Sequence, residues 1–218
     1  MAWEELARAQ LPGGDTLTLR RNGADFEIRF NLRELMASRN PVSERALARV
    51  ICSRVKAANI LIGGLGMGYT VRAMLDRLGC EARVTIAELV PEVIAWNRGP
   101  LAGFADSPLD DMRVTVRNED VAEVIRANSR CFDAILMDVD NGPEAVLFPA
   151  NRFLYSAEGV ALMLSGLKPG GMLGLWSAGH APNFECVLET GGFPFERFDI
   201  DVPCTNTFAH TIYLVREG

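Results

Sequence analysis

The stretch "NILIGGLGMGYT" (residues 59–70) decides the fold. An apolar run of strand length ends in four glycines within six positions, Gly63, Gly64, Gly66 and Gly68, and a helical pattern follows at once. Glycines in a strand-to-helix turn permit positive φ and allow close approach to the backbone and the helix N-terminus. In a doubly wound sheet, ligands bind outside the carboxyl ends of the strands beside such a turn. The dinucleotide pattern G-x-G-x-x-G would need glycine at position 69, where Tyr69 stands. The loop therefore suits an adenosyl ligand without a pyrophosphate better than NAD.

Downstream, strand and helix patterns alternate. "TVRAMLDRLG" (70–79) has Val71, Met74, Leu75 and Leu78 on one helical face, and Gly79 stops it. "RVTIAE" (83–88) is a strand and "PEVIAWNRG" (91–99) a helix begun by Pro91; "RVTVR" (113–117) and "VAEVIRAN" (121–128) repeat the pair. "FDAILMD" (132–138) is a fully apolar strand ending on an acid, followed by a helix in "SAEGVALMLSGL" (156–167). "KPGG" then turns the chain into the strand "MLGLWSA" (172–178). After a helix near 182–190, "FERFDIDV" (195–202) and "TFAHTIYLVR" (207–216) close the chain as an antiparallel pair. Alternation of this kind implies an α/β, Rossmann-like, doubly wound and mostly parallel sheet, because each parallel connection must cross over.

Upstream lies a separate element, residues 1–40, ahead of the main domain, 41–218. In "TLTLRRNGADFEIRF" (16–30), Asn22-Gly23 predicts a two-residue turn, setting Leu19 opposite Phe26, Leu17 opposite Ile28, and Arg20 opposite Asp25. A lone hairpin is barely stable in water, so its apolar face needs another surface, and a second copy of the chain would supply one. Asn40-Pro41 is a cap and first turn for a helix carrying Leu47, Val50, Ile51 and Val55.

Composition excludes several classes. The 218 residues are 49% hydrophobic and 23% charged, ordinary globular usage, with a net charge of −6. Nucleic-acid binding needs a basic face, which this balance argues against. The five cysteines, Cys52, Cys80, Cys131, Cys186 and Cys204, lack zinc spacing and read as reduced thiols. The start "MAWEEL" has no signal-peptide pattern, and no apolar run approaches the ~20 residues of a membrane span. A cytoplasmic protein with no metal is the expectation.

The acids that follow the glycine loop add chemistry. Glu88 ends the second strand of the alternation, where a carboxylate can accept both hydroxyls of a ribose. Asp120 follows the third strand, within reach of an adenine amine, and Asp138 and Asp140 follow the fourth. Each taken singly is also a common turn-former or helix cap. Trp176 reads as core and His180 as a surface turn residue, with lining of an acceptor pocket as the alternative; His210 reads as structural. Tyr69 either stacks on a ligand or covers its helix, and "WNR" (96–98) either approaches the adenosine or packs.

In order, "NILIGGLGMGYT", "RVTIAELVPEVIAWNRG", "RVTVRNEDVAEVI", "FDAILMDVDNGP" and "LKPGGMLGLWS" resemble the successive motifs of the spermidine/spermine synthase family, which is built on the class I S-adenosylmethionine methyltransferase fold. The resemblance implies nucleoside contacts at Gly63, Gly64, Gly66, Gly68, Glu88, Leu89, Asp120 and Val121, with Asp138 as the catalytic acid and Asp140 beside it at the acceptor. It implies S-adenosylmethionine or its decarboxylated form as group donor and an amine acceptor; the expectation of a homodimer comes from the hairpin's apolar face. Leu65 and Met67 stand where the family's glycine loop carries an Asp, and "DVDNGP" is two residues shorter than the family's acidic motif. Three functions stay open: aminopropyl transfer to an amine, methyl transfer to a small molecule, and a non-catalytic adenosyl-binding or assembly subunit.

Overall fold

Continuous apolar runs mark strands buried on both faces, and the large sheet is covered on both. In the computed structural model, which describes residues 2–39, 41–56, 58–201 and 209–217, the chain folds into two sheets and six α-helices. The first sheet is antiparallel and holds β1 (Glu4–Gln10), β2 (Thr16–Asn22), β3 (Asp25–Phe30) and β4 (Arg33–Ala37) in that order. Helix α1 (Val42–Arg54) leads into the second, built from β5 (Asn59–Gly63), α2 (Tyr69–Leu75), β6 (Arg83–Ala87), α3 (Pro91–Arg98), β7 (Val114–Arg117), α4 (Val121–Arg126) and β8 (Phe132–Met137). It is completed by α5 (Ala157–Ser165), β9 (Leu167–Ser177), α6 (Pro182–Thr190), β10 (Phe195–Ile200) and β11 (His210–Val215).

The seven strands lie in the order β10-β11-β9-β8-β5-β6-β7. β5 to β9 pair in parallel, whereas β11 runs antiparallel to both β9 and β10. The winding reverses between β5 and β8, and at that switch point the carboxyl ends of the strands leave a crevice. Successive strand residues serve opposite layers: Ile60, Ile62, Ala134 and Leu136 join the core beneath α1, α2 and α3, while Leu61, Ile135 and Met137 join the one beneath α4, α5 and α6.

Three expectations change. The N-terminal element is a four-stranded sheet rather than a hairpin, since β1 and β4 flank the predicted pair. The register of that pair is moved by two residues, with Leu19 opposite Ile28, Leu17 opposite Phe30 and Arg20 opposite Glu27. The two-residue turn is Gly23-Ala24, with positive φ at Gly23 and not at Ala24, so glycine takes the first central place and Asn22 closes the strand. A shift of two keeps every side chain on its face. The apolar face survives, gains Phe30, and packs on its own chain: Phe26 meets Phe104 edge-on at 4.6 Å and Phe30 meets Phe148 at 4.7 Å. That face is thus covered without a second copy. The charged face pairs Arg20 with Glu27 at 3.1 Å instead of with Asp25.

The third change is at "KPGG", which lies within β9: Phe132 pairs with Leu167 and Ala134 with Met172, so three extra residues bulge out around Gly170. The strands predicted at 195–202 and 207–216 correspond to β10 and β11; residues 202–208 of those stretches, the Asn40 cap and Cys204 lie outside the described residues.

Candidate functional site

A cavity of about 630 Å³ opens at the carboxyl ends of β5, β6 and β8. Its floor includes Gly64, Glu88, Asp120 and Asp138, and its opposite wall comes from the N-terminal sheet through Leu17, Ile28 and Leu35 to Ala37. The small sheet is therefore a wall of the site.

The glycine loop is shaped first by its own chain. At Gly64 (φ +86°) a Cβ would strike the backbone carbonyl of Asp138, which continues β8 alongside. At Gly66 (φ +52°) it would lie 2.8 Å from Met36 Sδ of β4. Asn97 of α3 donates its amide to the Gly66 carbonyl (2.8 Å) and the Val93 carbonyl (2.9 Å), fixing the loop to the helix. The loop's N–H groups are largely engaged: Gly64 donates to Ala87 O (2.9 Å), Leu65 to Glu88 Oε2 (2.9 Å), Met67 to Met36 Sδ (3.2 Å) and Gly68 to Leu65 O (2.8 Å). Leu65 and Met67 themselves are buried. Close approach here is thus made partly by protein, while Gly64 and Gly66 still border the cavity.

Glu88 is buried at the end of β6, where it accepts the N–H groups of Leu65 and Val90 (2.8 Å). Burial raises its pKa, and those backbone donors oppose the shift. A carboxylate has about four acceptor positions, so these donors do not exhaust it, and Glu88 lines the cavity. Asp120 caps α4, its Oδ1 accepting Ala122 N–H at 2.8 Å, and the residue lines the cavity. Leu89, 54% exposed, and Val121 complete this end as apolar surface on the cavity's rim. The residues expected at a nucleoside are thus brought together, except that Gly63 and Gly68 do not border the cavity.

The other end is acidic. Asp138 is half-buried, with Oδ2 accepting the Thr70 hydroxyl at 2.6 Å, and desolvation pushes its pKa up. Facing it is Glu44, from the first turn of α1, which sequence reasoning did not single out. Burial raises Glu44 to about 7, the Asp138 charge adds to the shift, and the Ser43 hydroxyl at 2.7 Å from Oε2 partly offsets it. Two carboxyl groups that repel each other in one cavity favour a shared proton or a bound cation.

Asp140 is placed differently from the acceptor-facing role expected of it. In a left-handed conformation (φ +62°), it accepts the N–H groups of Asn141 (2.9 Å), Leu147 (2.7 Å) and Phe148 (2.8 Å), and the Asn151 amide (3.1 Å). It borders the cavity, but its oxygens brace the 140–151 loop. Of the two directions the sequence allowed, turn capping is the one adopted.

Trp176 is core and also borders the cavity, as does His210, whose ring meets it edge-on at 5.0 Å. His180 is outside, paired with Glu185 at 3.1 Å. Tyr69 and Trp96 are buried in the core. Glu44 and Ser43 escaped notice, and His210 read only as structural, because α1 and β11 carry no motif; only the fold brings them to the acids after β8. Among the described residues no group of three or more His, Cys, Asp or Glu side chains is arranged to hold a metal, and no helix is long and apolar enough to cross a membrane.

The strand order, with an antiparallel strand beside β9 and acids at the carboxyl ends, defines the class: a Rossmann-like fold of the class I methyltransferase type. Two solved structures share it over 98% of this chain, each with a TM-score of 0.77 and 16% identity. One is a spermidine synthase in complex with the transition-state analogue AdoDATO, of which 72% is covered, and the other the spermidine synthase of Thermotoga maritima, of which 73% is covered. The family model for the spermine/spermidine synthase domain matches residues 42–185, and the chain belongs to that family. Polyamine aminopropyltransferase 1 of Streptomyces coelicolor is 32% identical over 154 residues, 67% of this chain. The polyamine aminopropyltransferase of Moorella thermoacetica is 35% identical over 96 residues, 43% of this chain. The matches span 28% and 33% of the length of these two curated relatives.

Proposed function

We propose that the chain is a transferase that moves an aminopropyl group from decarboxylated S-adenosylmethionine to an amine acceptor. The observation that carries this reading is the Glu44–Asp138 carboxyl pair, a site for a cation in a nucleoside-sized cleft. In the reaction, the acceptor nitrogen attacks the carbon bonded to sulfonium sulfur as the carbon–sulfur bond breaks. Sulfur leaves as a neutral thioether, so the leaving group needs no acid. The acceptor, an ammonium in water, must first lose a proton, and the carboxylate pair takes it while holding the nitrogen in line. Glu88 and Asp120 hold the ribose and adenine, with Leu89 and Val121 against the base. Asp138 is the catalytic base, Glu44 its partner, and Asp140 braces the 140–151 loop.

The glycine loop supports the decarboxylated donor. A donor carboxylate would need backbone N–H groups, and four in this loop already have partners within the chain. It would also add a third negative charge to the acidic end. Calorimetry should therefore show decarboxylated S-adenosylmethionine binding at least about tenfold more tightly than S-adenosylmethionine, a difference of about 1.4 kcal/mol. Tighter binding of S-adenosylmethionine would instead favour methyl transfer, and NAD binding alone would overturn the ligand assignment. A cytoplasmic setting and a homodimer belong to the same proposal. Since the hairpin's apolar face is covered within the chain, the dimer would have to use other surface.

A further inference from the structure

The transfer chemistry leaves two polar groups of this region unused: Ser43 at the start of α1 and His210 at the start of β11. Ser43 is fully buried; its hydroxyl lies 2.7 Å from Glu44 Oε2 and 2.8 Å from His210 Nδ1. Carboxyl, hydroxyl and imidazole thus form one hydrogen-bonded chain, from residues 167 positions apart. Trp176 packs edge-on against the His210 ring, at an interplanar angle of 83°, and holds its orientation.

We propose that Ser43 and His210 are a proton relay, carrying the proton that the Glu44–Asp138 pair takes from its acceptor on to water at the His210 ring. This rests on the transfer reading above. When Glu44 holds the proton, its O–H donates to the serine oxygen and Ser43 donates its own hydrogen to bare Nδ1. Transfer moves the serine proton to Nδ1 and the Glu44 proton to the serine oxygen. Glu44 returns to carboxylate, and the imidazolium releases its Nε2 proton to water. While Glu44 is a carboxylate the ring keeps Nδ1–H facing the Ser43 oxygen, and exchange of the ring protons with water bares Nδ1 again once Glu44 next takes a proton. One proton leaves per turnover, and no other reactant is needed.

The surroundings suit that role. Burial lowers the His210 pKa, so the ring is neutral at pH 7 and its cation sheds a proton readily. Of the charged groups on the elements around it, Glu44 is the one the chain reaches, with Asp138 beyond it and Arg45 acting on Glu44 from α1. On β10, Arg197 and Asp199 are paired with each other at 3.4 Å, and Asp199 accepts the Thr211 hydroxyl at 3.2 Å.

The test combines nitrogen NMR of the full chain with amine-dependent turnover, for wild type, Ser43→Ala and His210→Ala. In wild type the His210 tautomer should change as Glu44 titrates, near pH 7. In Ser43→Ala that change should vanish. Both variants should lose roughly 10- to 100-fold in kcat, with the amine KM within about twofold, and added imidazole should restore part of the loss in His210→Ala. A His210 tautomer that ignores Glu44 in wild type, or kcat unchanged in both variants, would overturn the relay. If the tautomer linkage is present but wild type turns over no amine, the transfer reading falls and the proton chain stands.

Discussion

At the scale of single residues, the acidic end sets the chain's response to pH. Glu44 has a folded pKa of about 7 against 4.5 for the free side chain, and Asp138 is shifted in the same direction. At Glu44 the folded state therefore binds a proton more tightly than the unfolded one, and the stability this group contributes is full below about pH 4.5 and is lost as pH rises through 7. For Glu44 alone the loss is on the order of 3 kcal/mol. Glu44→Gln removes the repelled charge while keeping an oxygen for Ser43. Its melting temperature should be higher than that of wild type at pH 8 and nearly equal at pH 5, and its amine KM should be higher. An unchanged pH dependence of melting would show that neither burial nor the Asp138 charge raises the Glu44 pKa. None of this was legible locally: "VSER" reads as an ordinary helix start, and Glu44 becomes an active-site candidate only once α1 lies beside β8. Asp138 could be found because it ends an apolar strand. The direction of Asp140 could not, because a left-handed residue after a strand can face either way.

At the scale of elements, the glycine loop is shaped by strands as much as by any ligand. Gly64→Ala would drive a methyl into the Asp138 carbonyl, backbone against backbone. Gly66→Ala would press on the flexible end of Met36, in addition to the cost of a positive φ. The first should destabilise by roughly 3 kcal/mol or more and the second by about 1–2. Denaturant unfolding of the two variants checks the order, and equal costs would mean the Asp138 carbonyl moves aside. The alternation of strands and helices was legible because each parallel strand is an apolar run closed by a turn signal. β1 and β4 were not. "EELARAQ" and "RELMA" carry charge and alanine in place of β-branched residues, and they become strands by pairing at the edges of β2 and β3. The hairpin register failed for a local reason: Asn22-Gly23 and Gly23-Ala24 are both feasible turns, and the apolar pattern cannot separate registers two residues apart.

At the scale of the whole molecule, the small sheet, the switch point of the large sheet and helix α1 enclose one cavity, with Glu88 and Asp120 at one end and the Glu44–Asp138 pair at the other. Its most direct test is the identity of the product. The chain is incubated with decarboxylated S-adenosylmethionine and a panel of diamines and polyamines, and separately with S-adenosylmethionine and the same acceptors. The account predicts methylthioadenosine in the first case, dependent on the amine and lost in Asp138→Asn. Release of S-adenosylhomocysteine in the second case, or amine-dependent methylthioadenosine at full rate in Asp138→Asn, would contradict it.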